Sequence, residues 1–391
     1  MSARARLFVL LLSTPALAFV VVGGFLGNVS ARQDSYQSLR VFEDVVQLIL
    51  AGYVEEVDID RVMEGALRGL SEGLDPDSAY LTPAMVREMD GAGPTPASAS
   101  VGLALTRQYY LRIVAARDGS PAARAGLRTG DYVRAIDGQP TRDMSVLEGA
   151  QRLSGQPGTR VSLMIIRGNA AEPHLIELVR EPVAEPQVTS RLLPADIGYV
   201  RIPAFGPELP DQIARQVGEL ERKGARRLIV DVRRTADGPL ATGIEAARLF
   251  VPSGPLALLK GRDEVEETVT AGKGDGRVTL PVTLLTSYGT AGAAELFVAA
   301  LTANDRADVV GERTAGRAGV QKLVRLPEQR GLWLTASRYF TPGGDPIHGR
   351  GLSPTVEVVE PEVEFGDTPG AGDPILDAAI ARLTAAREPA A

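Results

Sequence analysis

Side chains able to do covalent chemistry are scarce in this chain. Cysteine is absent, which excludes thiol catalysis, disulfides and thiolate-bound metal. Only two histidines occur, His174 and His348, thin material for a histidine-rich metal site or a Ser-His-Asp triad. The densest cluster of glycines and polar groups is Gly289-Thr290-Ala291-Gly292-Ala293-Ala294-Glu295, followed beyond an apolar run by Gly311-Glu312-Arg313-Thr314-Ala315-Gly316-Arg317-Ala318-Gly319-Val320-Gln321. A serine hydroxyl is a weak nucleophile and needs a base to take its proton. The nearest serine is Ser287, at a strand end before a helix start whose amides could hold an oxyanion, and the nearest spare lysines are Lys273 and Lys322. Nothing in the sequence pairs Ser287 with a base. Arg317 stays protonated and cannot serve. Its guanidinium is suited to clamping a peptide carboxylate, or to an internal ion pair with Glu312 or Asp237, which we expect instead.

The elements that would position these residues alternate. Ile197–Ile202, Leu228–Val232, Val282–Thr286 and Val309–Gly311 read as strands, the middle two apolar enough to be buried on both faces. Pro210–Lys223, Ile244–Phe250 and Glu295–Leu301 read as helices, the first with proline in its opening turn, where a missing N–H costs nothing. Such alternation implies a mostly parallel sheet with helices on it. Upstream, residues 101–181 are β-rich. Ser120-Pro121-Ala122-Ala123-Arg124-Ala125-Gly126-Leu127 reads as a short helix opened by proline and ended by glycine, and Gly130-Asp131 turns into a strand. Asp137-Gly138 reads as a hairpin turn, and Val161, Leu163 and Ile165 alternate as a strand should. Residues 91–100 are a Gly/Pro/Ala/Ser linker. Residues 34–83 carry helical periodicity through Val41, Val45, Leu48, Ile49 and Tyr53, then Val62, Ala66, Leu67 and Leu70, with Asp58 or Asp60 placed to cap the second helix. The segment closes with Leu74-Asp75-Pro76-Asp77-Ser78-Ala79-Tyr80-Leu81. Residues 366–374 are rich in glycine and proline, and a short amphipathic helix follows near Ile375–Leu383.

These strings, in this order, resemble the C-terminal processing peptidases of family S41. The S-P-A-x-x-A-G-L-x-x-G-D string of the β-rich module resembles a bacterial PDZ domain, and L-D-P-x-S-x-Y-L resembles the family's N-terminal region. The resemblance implies that position 292 is the slot of the nucleophilic serine in S-A-S-E and position 317 the slot of the lysine base in G-E-x-T-x-G-K-G-x-V-Q. Here those slots hold Gly292 and Arg317. It also places Ala303 where the family often has an aspartate, and Thr235-Ala236-Asp237-Gly238 where it has N-P-G-G beside the oxyanion hole, with Asp237 adding negative charge and Pro239 removing an amide. Glu295, Gly311, Glu312, Thr314, Gly316, Val320 and Gln321 match, and Gln321 is expected to bond the Arg317 guanidinium or to be structural. No residue is therefore expected to be catalytic. The PDZ resemblance implies a groove that adds a peptide as a strand and catches its carboxylate on Val101-Gly102-Leu103-Ala104-Leu105, with Gly102 allowing close approach and Leu103 lining the apolar pocket. The rival reading makes Gly102 only a strand-start glycine.

The formal net charge of −7, with no block of like charge, argues against nucleic acid as a partner. Arg4 and Arg6 precede an uncharged apolar run from Leu7 to Leu26, about long enough to cross a bilayer. We expect an uncleaved anchor with the body exported, to the periplasm in a Gram-negative bacterium; a cleaved signal peptide ending at Ala18 or Ala31 is the rival. The expected fold is a multidomain α/β chain. Its parts are an anchor or signal segment (1–31), a helical region (32–90), a PDZ domain (101–181), an S41-type core with mostly parallel sheet and closing strands (195–360), and a tail with a short helix (361–391). The function expected is an inactive family member that binds protein C-termini or unfolded tails and acts as scaffold or regulator of proteolysis. An active endopeptidase with a relocated nucleophile is the alternative. Expected partners are such tails, an active protease or a second copy, and the membrane; no metal or cofactor is expected.

Overall fold

The computed structural model describes residues 39–91, 98–168, 172–182, 187–262, 266–361, 363–365, 370 and 372–385. The chain divides into two compact units, one ending at Leu67 and one beginning at Arg68. In the first, residues 39–52 form helix α1; α2 (Ile59–Glu72), which begins in the first unit and ends in the second, starts behind Asp58, whose carboxylate accepts the Arg61 N–H at 3.2 Å. Periodicity correctly marks the helices, but Leu48 is 71% exposed and Tyr53 61%. Spacing alone makes an apolar face; burying it takes a packed neighbour. The apolar run from Leu7 to Leu26 lies outside the described residues, and among those described no helix is long and apolar enough to cross a membrane.

In the second unit the Leu74–Leu81 string is not part of a helical domain. The Asp75 carboxylate accepts the N–H groups of Asp77 (2.9 Å) and Ser78 (2.8 Å), an Asx-type turn that redirects the chain. The next residues form β1 (Ala79–Leu81), followed by α3 (Pro83–Met89).

The β-rich module comprises β2 (Ala99–Ser100), β3 (Leu103–Gln108), β4 (Tyr110–Ala116), α4 (Pro121–Arg124), β5 (Tyr132–Ile136), β6 (Gln139–Pro140), α5 (Val146–Leu153), β7 (Ser154–Gly155), β8 (Arg160–Ile166), β9 (His174–Val179) and β10 (Glu181–Pro182). Part of the expected linker is therefore strand. An antiparallel sheet runs β3-β4-β5-β8-β9, leaving β3 at an edge beside α5, while β2 pairs with β7 and β10. Asp137 (φ 48°) and Gly138 (φ 74°) are both left-handed, as the tight turn between β5 and β6 requires. Val161, Leu163 and Ile165 point into one core, as their alternation predicts.

The remainder builds two sheets from β11 (Thr189–Leu193), β12 (Ile197–Arg201), α6 (Leu209–Arg222), β13 (Arg227–Asp231), α7 (Leu240–Ala247), β14 (Pro255–Gly261), β15 (Glu267–Thr270), β16 (Val282–Thr286), α8 (Ala293–Ala303), β17 (Ala307–Gly311), β18 (Gly319–Arg325), β19 (Gly331–Phe340), β20 (Val356–Glu357) and α9 (Pro374–Ala385). One runs β11-β12-β13-β16-β17-β20 and is parallel except at β11–β12. Residues of α6, α7 and α8 cover one face and α9 the other, through Ile375 and Ala379 against Ile229 and Leu285. Burial on both faces is why its strands read as unbroken apolar runs. The other sheet is antiparallel, β1-β19-β14-β15 with β18 on β19. The helix expected at Ile244–Phe250 instead spans Leu240–Ala247, because Pro239 (φ −62°) sits at its N-cap already set for helix entry.

Candidate active-site cleft

The site lies where buried β16 gives way to α8. Thr290, fully buried, donates its hydroxyl to the Val232 carbonyl (2.8 Å), and the Ala291 N–H donates to the Thr235 carbonyl (2.9 Å). These bonds fix the turn before α8 against the 232–235 loop. Gly292 then takes φ 64° and ψ −120°, a conformation that strains any residue with a Cβ. One turn into the helix is Glu295, with no exposed surface. Its carboxylate accepts N–H groups from Gly292 (3.0 Å), Gly316 (2.6 Å) and Arg317 (2.6 Å), and the Thr314 hydroxyl. A single side chain thus holds both halves of the site in register. Burial pushes its pKa up, and the four donors offset only part of that.

The cleft above this support has a volume of about 510 Å³ and is lined by Gly292, Arg317, Gln321, Tyr339, Leu240 and Asp77 among others. A Cβ built on Gly292 would come no nearer than 3.7 Å to any other atom, the carbonyl oxygen of Arg317 and the Leu240 side chain being closest. Space for a side chain exists; the chain supplies none.

Arg317 departs from expectation. Its Nη2 pairs with Asp77 Oδ1 at 2.5 Å and its Nη1 donates to the Leu105 carbonyl at 2.7 Å, so its partner is neither Glu312 nor Asp237. Asp77 is the nearer because the turn at Asp75 delivers it to the cleft. Gln321 does not bond the guanidinium either; its Nε2 donates to Thr335 Oγ1 at 3.3 Å, across the β18–β19 pair. Asp237 is not a free negative charge: it forms an ion pair with Arg117 of the β-rich module at 2.7 Å. Ala303 sits ten residues along α8 from Ala293, about 15 Å by helix rise, so it is not brought into the cleft. Ser287 is 3% exposed and its Oγ accepts the N–H groups of Arg234 (3.1 Å) and Gly289 (3.2 Å). It serves a turn and does not line the cleft, and Lys273 and Lys322 are exposed elsewhere.

Of the proposed carboxylate loop, Val101, Gly102 and Leu105 are buried, and Leu103 and Ala104 partly so. Gly102 (φ 78°) does permit a close approach, but to Ser120, whose Cβ would lie 2.3 Å from an added Cβ; its N–H already donates to Ser100 Oγ at 3.1 Å. Val101 packs in the module's core and Leu103 lies against it. Sequence reading missed Asp77 and Arg117. Asp77 occupies the variable position of its string, where the resemblance gives no reason to look, and Arg117 meets Asp237 only because of tertiary packing.

Comparison with known proteins gives this geometry its family. Residues 196–358 match the model of peptidase family S41 and residues 112–167 that of a PDZ domain. The chain is 34% identical over 278 residues to the carboxyl-terminal-processing protease of Synechocystis sp., covering 70% of this chain and 65% of that protein. It is 30% identical over 277 residues to the corresponding protein of Picosynechococcus sp., covering 70% of this chain and 67% of that one. Among solved structures, the photosystem II D1 C-terminal processing protease superposes with a TM-score of 0.68 at 26% identity, covering 80% of this chain and 85% of that chain. With the cleft at the start of α8, the module on its flank and these matches in agreement, the chain belongs to peptidase family S41, in company with the carboxyl-terminal-processing proteases, and carries a PDZ domain.

Proposed function

We propose that this chain is a catalytically inactive family member that binds protein C-termini or unfolded tails through its PDZ domain and acts as a scaffold or regulator of proteolysis. The carrying observation is the pair of residues at the two chemical positions. Gly292 offers no atom to form an acyl-enzyme, and Arg317, a permanent cation, is committed to Asp77 and Leu105. The relatives' names identify processing at carboxyl termini, so polypeptide tails are the ligand class to test. The apolar run after Arg6 supports an exported, membrane-tethered form facing the periplasm, and a second copy or an active relative is the natural co-assembling partner.

The test is a cleavage assay with an unfolded protein and apolar-tailed peptides, products being read by mass spectrometry. No products are expected. Cleavage that disappears in Ser287→Ala would overturn the proposal in favour of a relocated nucleophile. Gly292→Ser combined with Arg317→Lys is the converse experiment: the room at position 292 makes gain of cleavage the expected result if these are the chemical slots. Tail binding is checked with peptides bearing free and amidated C-termini, and equal affinity would exclude carboxylate recognition.

A further inference from the structure

Both charged residues that depart from the family pattern around the cleft reach the same place. Asp237 binds Arg117 and Arg317 binds Leu105, and both partners belong to the PDZ domain. The Leu105 contact falls on a backbone atom with a definite use. Leu105 lies opposite Ile113 in the β3–β4 pair. The N–H and C=O of Ile113 bond Asp131 and Gly130 on its far side, at 2.8 and 2.9 Å. That is therefore a non-hydrogen-bonded pair, and Leu105 turns its own N–H and C=O to the open edge of the sheet. An extended peptide added beside β3 would pair along that edge. The guanidinium already stands there, 2.7 Å from the oxygen, braced by an Asp77 side chain only 9% exposed.

We infer that Arg317 is a gate on the PDZ groove: it holds the edge carbonyl of Leu105 and an arriving tail must compete for that atom, so the position that is the base elsewhere in the family here sets how tightly tails bind. The inference rests on the tail-binding function proposed above. A charge-assisted hydrogen bond from a braced guanidinium is stronger than one from a peptide N–H. The gate therefore weakens tail binding and restricts a bound tail to the groove short of Leu105 until the guanidinium moves.

The test uses the full chain, a panel of apolar-tailed peptides with free C-termini, and calorimetric affinities. Arg317→Ala alone would strand Asp77, so the variant is Asp77→Asn with Arg317→Gln, which removes both charges together; its thermal unfolding is followed alongside. About tenfold tighter binding by the variant is expected, together with movement of the Arg317 side-chain nitrogen resonances when a tail is added to the parent, which a merely structural role would not produce. Equal or weaker binding by the folded variant, or resonances that stay put on saturation, would overturn the gate and leave tail binding standing. Failure of both parent and variant to bind any tail would remove the tail-binding reading and the gate with it.

Discussion

Glu295 and Arg317 are joined by one hydrogen bond, from the Arg317 N–H to the Glu295 carboxylate at 2.6 Å, yet they belong to differently treated regions. Around Glu295 the carboxylate receives four donors and is closed to solvent: two come from residues that match the family pattern, Thr314 and Gly316, and two are backbone N–H groups, of Gly292 and Arg317, which any residue but proline supplies. Around Arg317 and Asp237 the pattern is broken, and the replacements turn outward to the PDZ domain. The first region sets backbone positions and the second carries what would be chemistry. A buried carboxylate with four donors cannot be changed without leaving polar groups stranded, whereas a rim residue can be exchanged for any side chain that finds a partner. The support can therefore persist whatever side chains stand at the rim.

Four measurements break or sharpen this contrast. Replacing Glu295 by Gln puts an NH₂ group against donors that need an acceptor; a loss of about 4 kcal/mol is expected in denaturant unfolding, two stranded donors at ~1–3 each. A loss under ~1 kcal/mol would mean that Glu295 is not the support. The second buried support is Asp231, paired with Arg233 at 2.7 Å, with Arg233 also held by Asp373 at 2.8 Å. Asp231→Asn should cost about 3 kcal/mol. Burial alone would raise the pKa of Asp231, but the Arg233 hydrogen bond and charge prevail and it is lowered; Asp373 is lowered likewise, with Arg233 again prevailing over burial. Because their folded pKa values lie below the unfolded ones, their contribution is complete above about pH 3.9 and is lost as pH falls further. Acid unfolding of the parent should show that slope, and Asp231→Asn should flatten it.

Two glycines test whether the empty slot is still a slot. A Cβ on Gly243 would lie 2.0 Å from the Ala293 carbonyl oxygen, where α7 crosses α8, so Gly243→Ala should cost about 3 kcal/mol through forced backbone movement. Gly292→Ala has space and pays only for the strain of φ 64° with ψ −120°, about 2 kcal/mol. Thermal unfolding of the two side by side decides it, and equal losses would mean that the room at 292 is not usable. The smallest effect belongs to the rim. A double-mutant cycle on Arg117 and Asp237, both partly exposed, should give a coupling of about 0.5 kcal/mol that fades with added salt.

Much of this was legible in the chain. Apolar runs of the right length gave β13 and β16, Asp137-Gly138 gave its turn, and the strings around Gly292 and Arg317 gave two stretches that line one cleft, because each depends on residues close in sequence. Local signals failed where partners are distant. Asp77 and Arg317 are separated by 240 positions, Arg117 and Asp237 by 120. Periodicity likewise gave α1 its apolar face, but spacing does not encode what packs on such a face. Residue identity by itself determined what position 292 cannot do and what charge position 317 must carry, since a missing side chain and a permanent cation are properties of the residue alone. Only the tertiary structure decided what that charge holds, because the choice among Glu312, Asp237, Asp77 and the Leu105 carbonyl depends on which of them folding brings within 3 Å of the guanidinium.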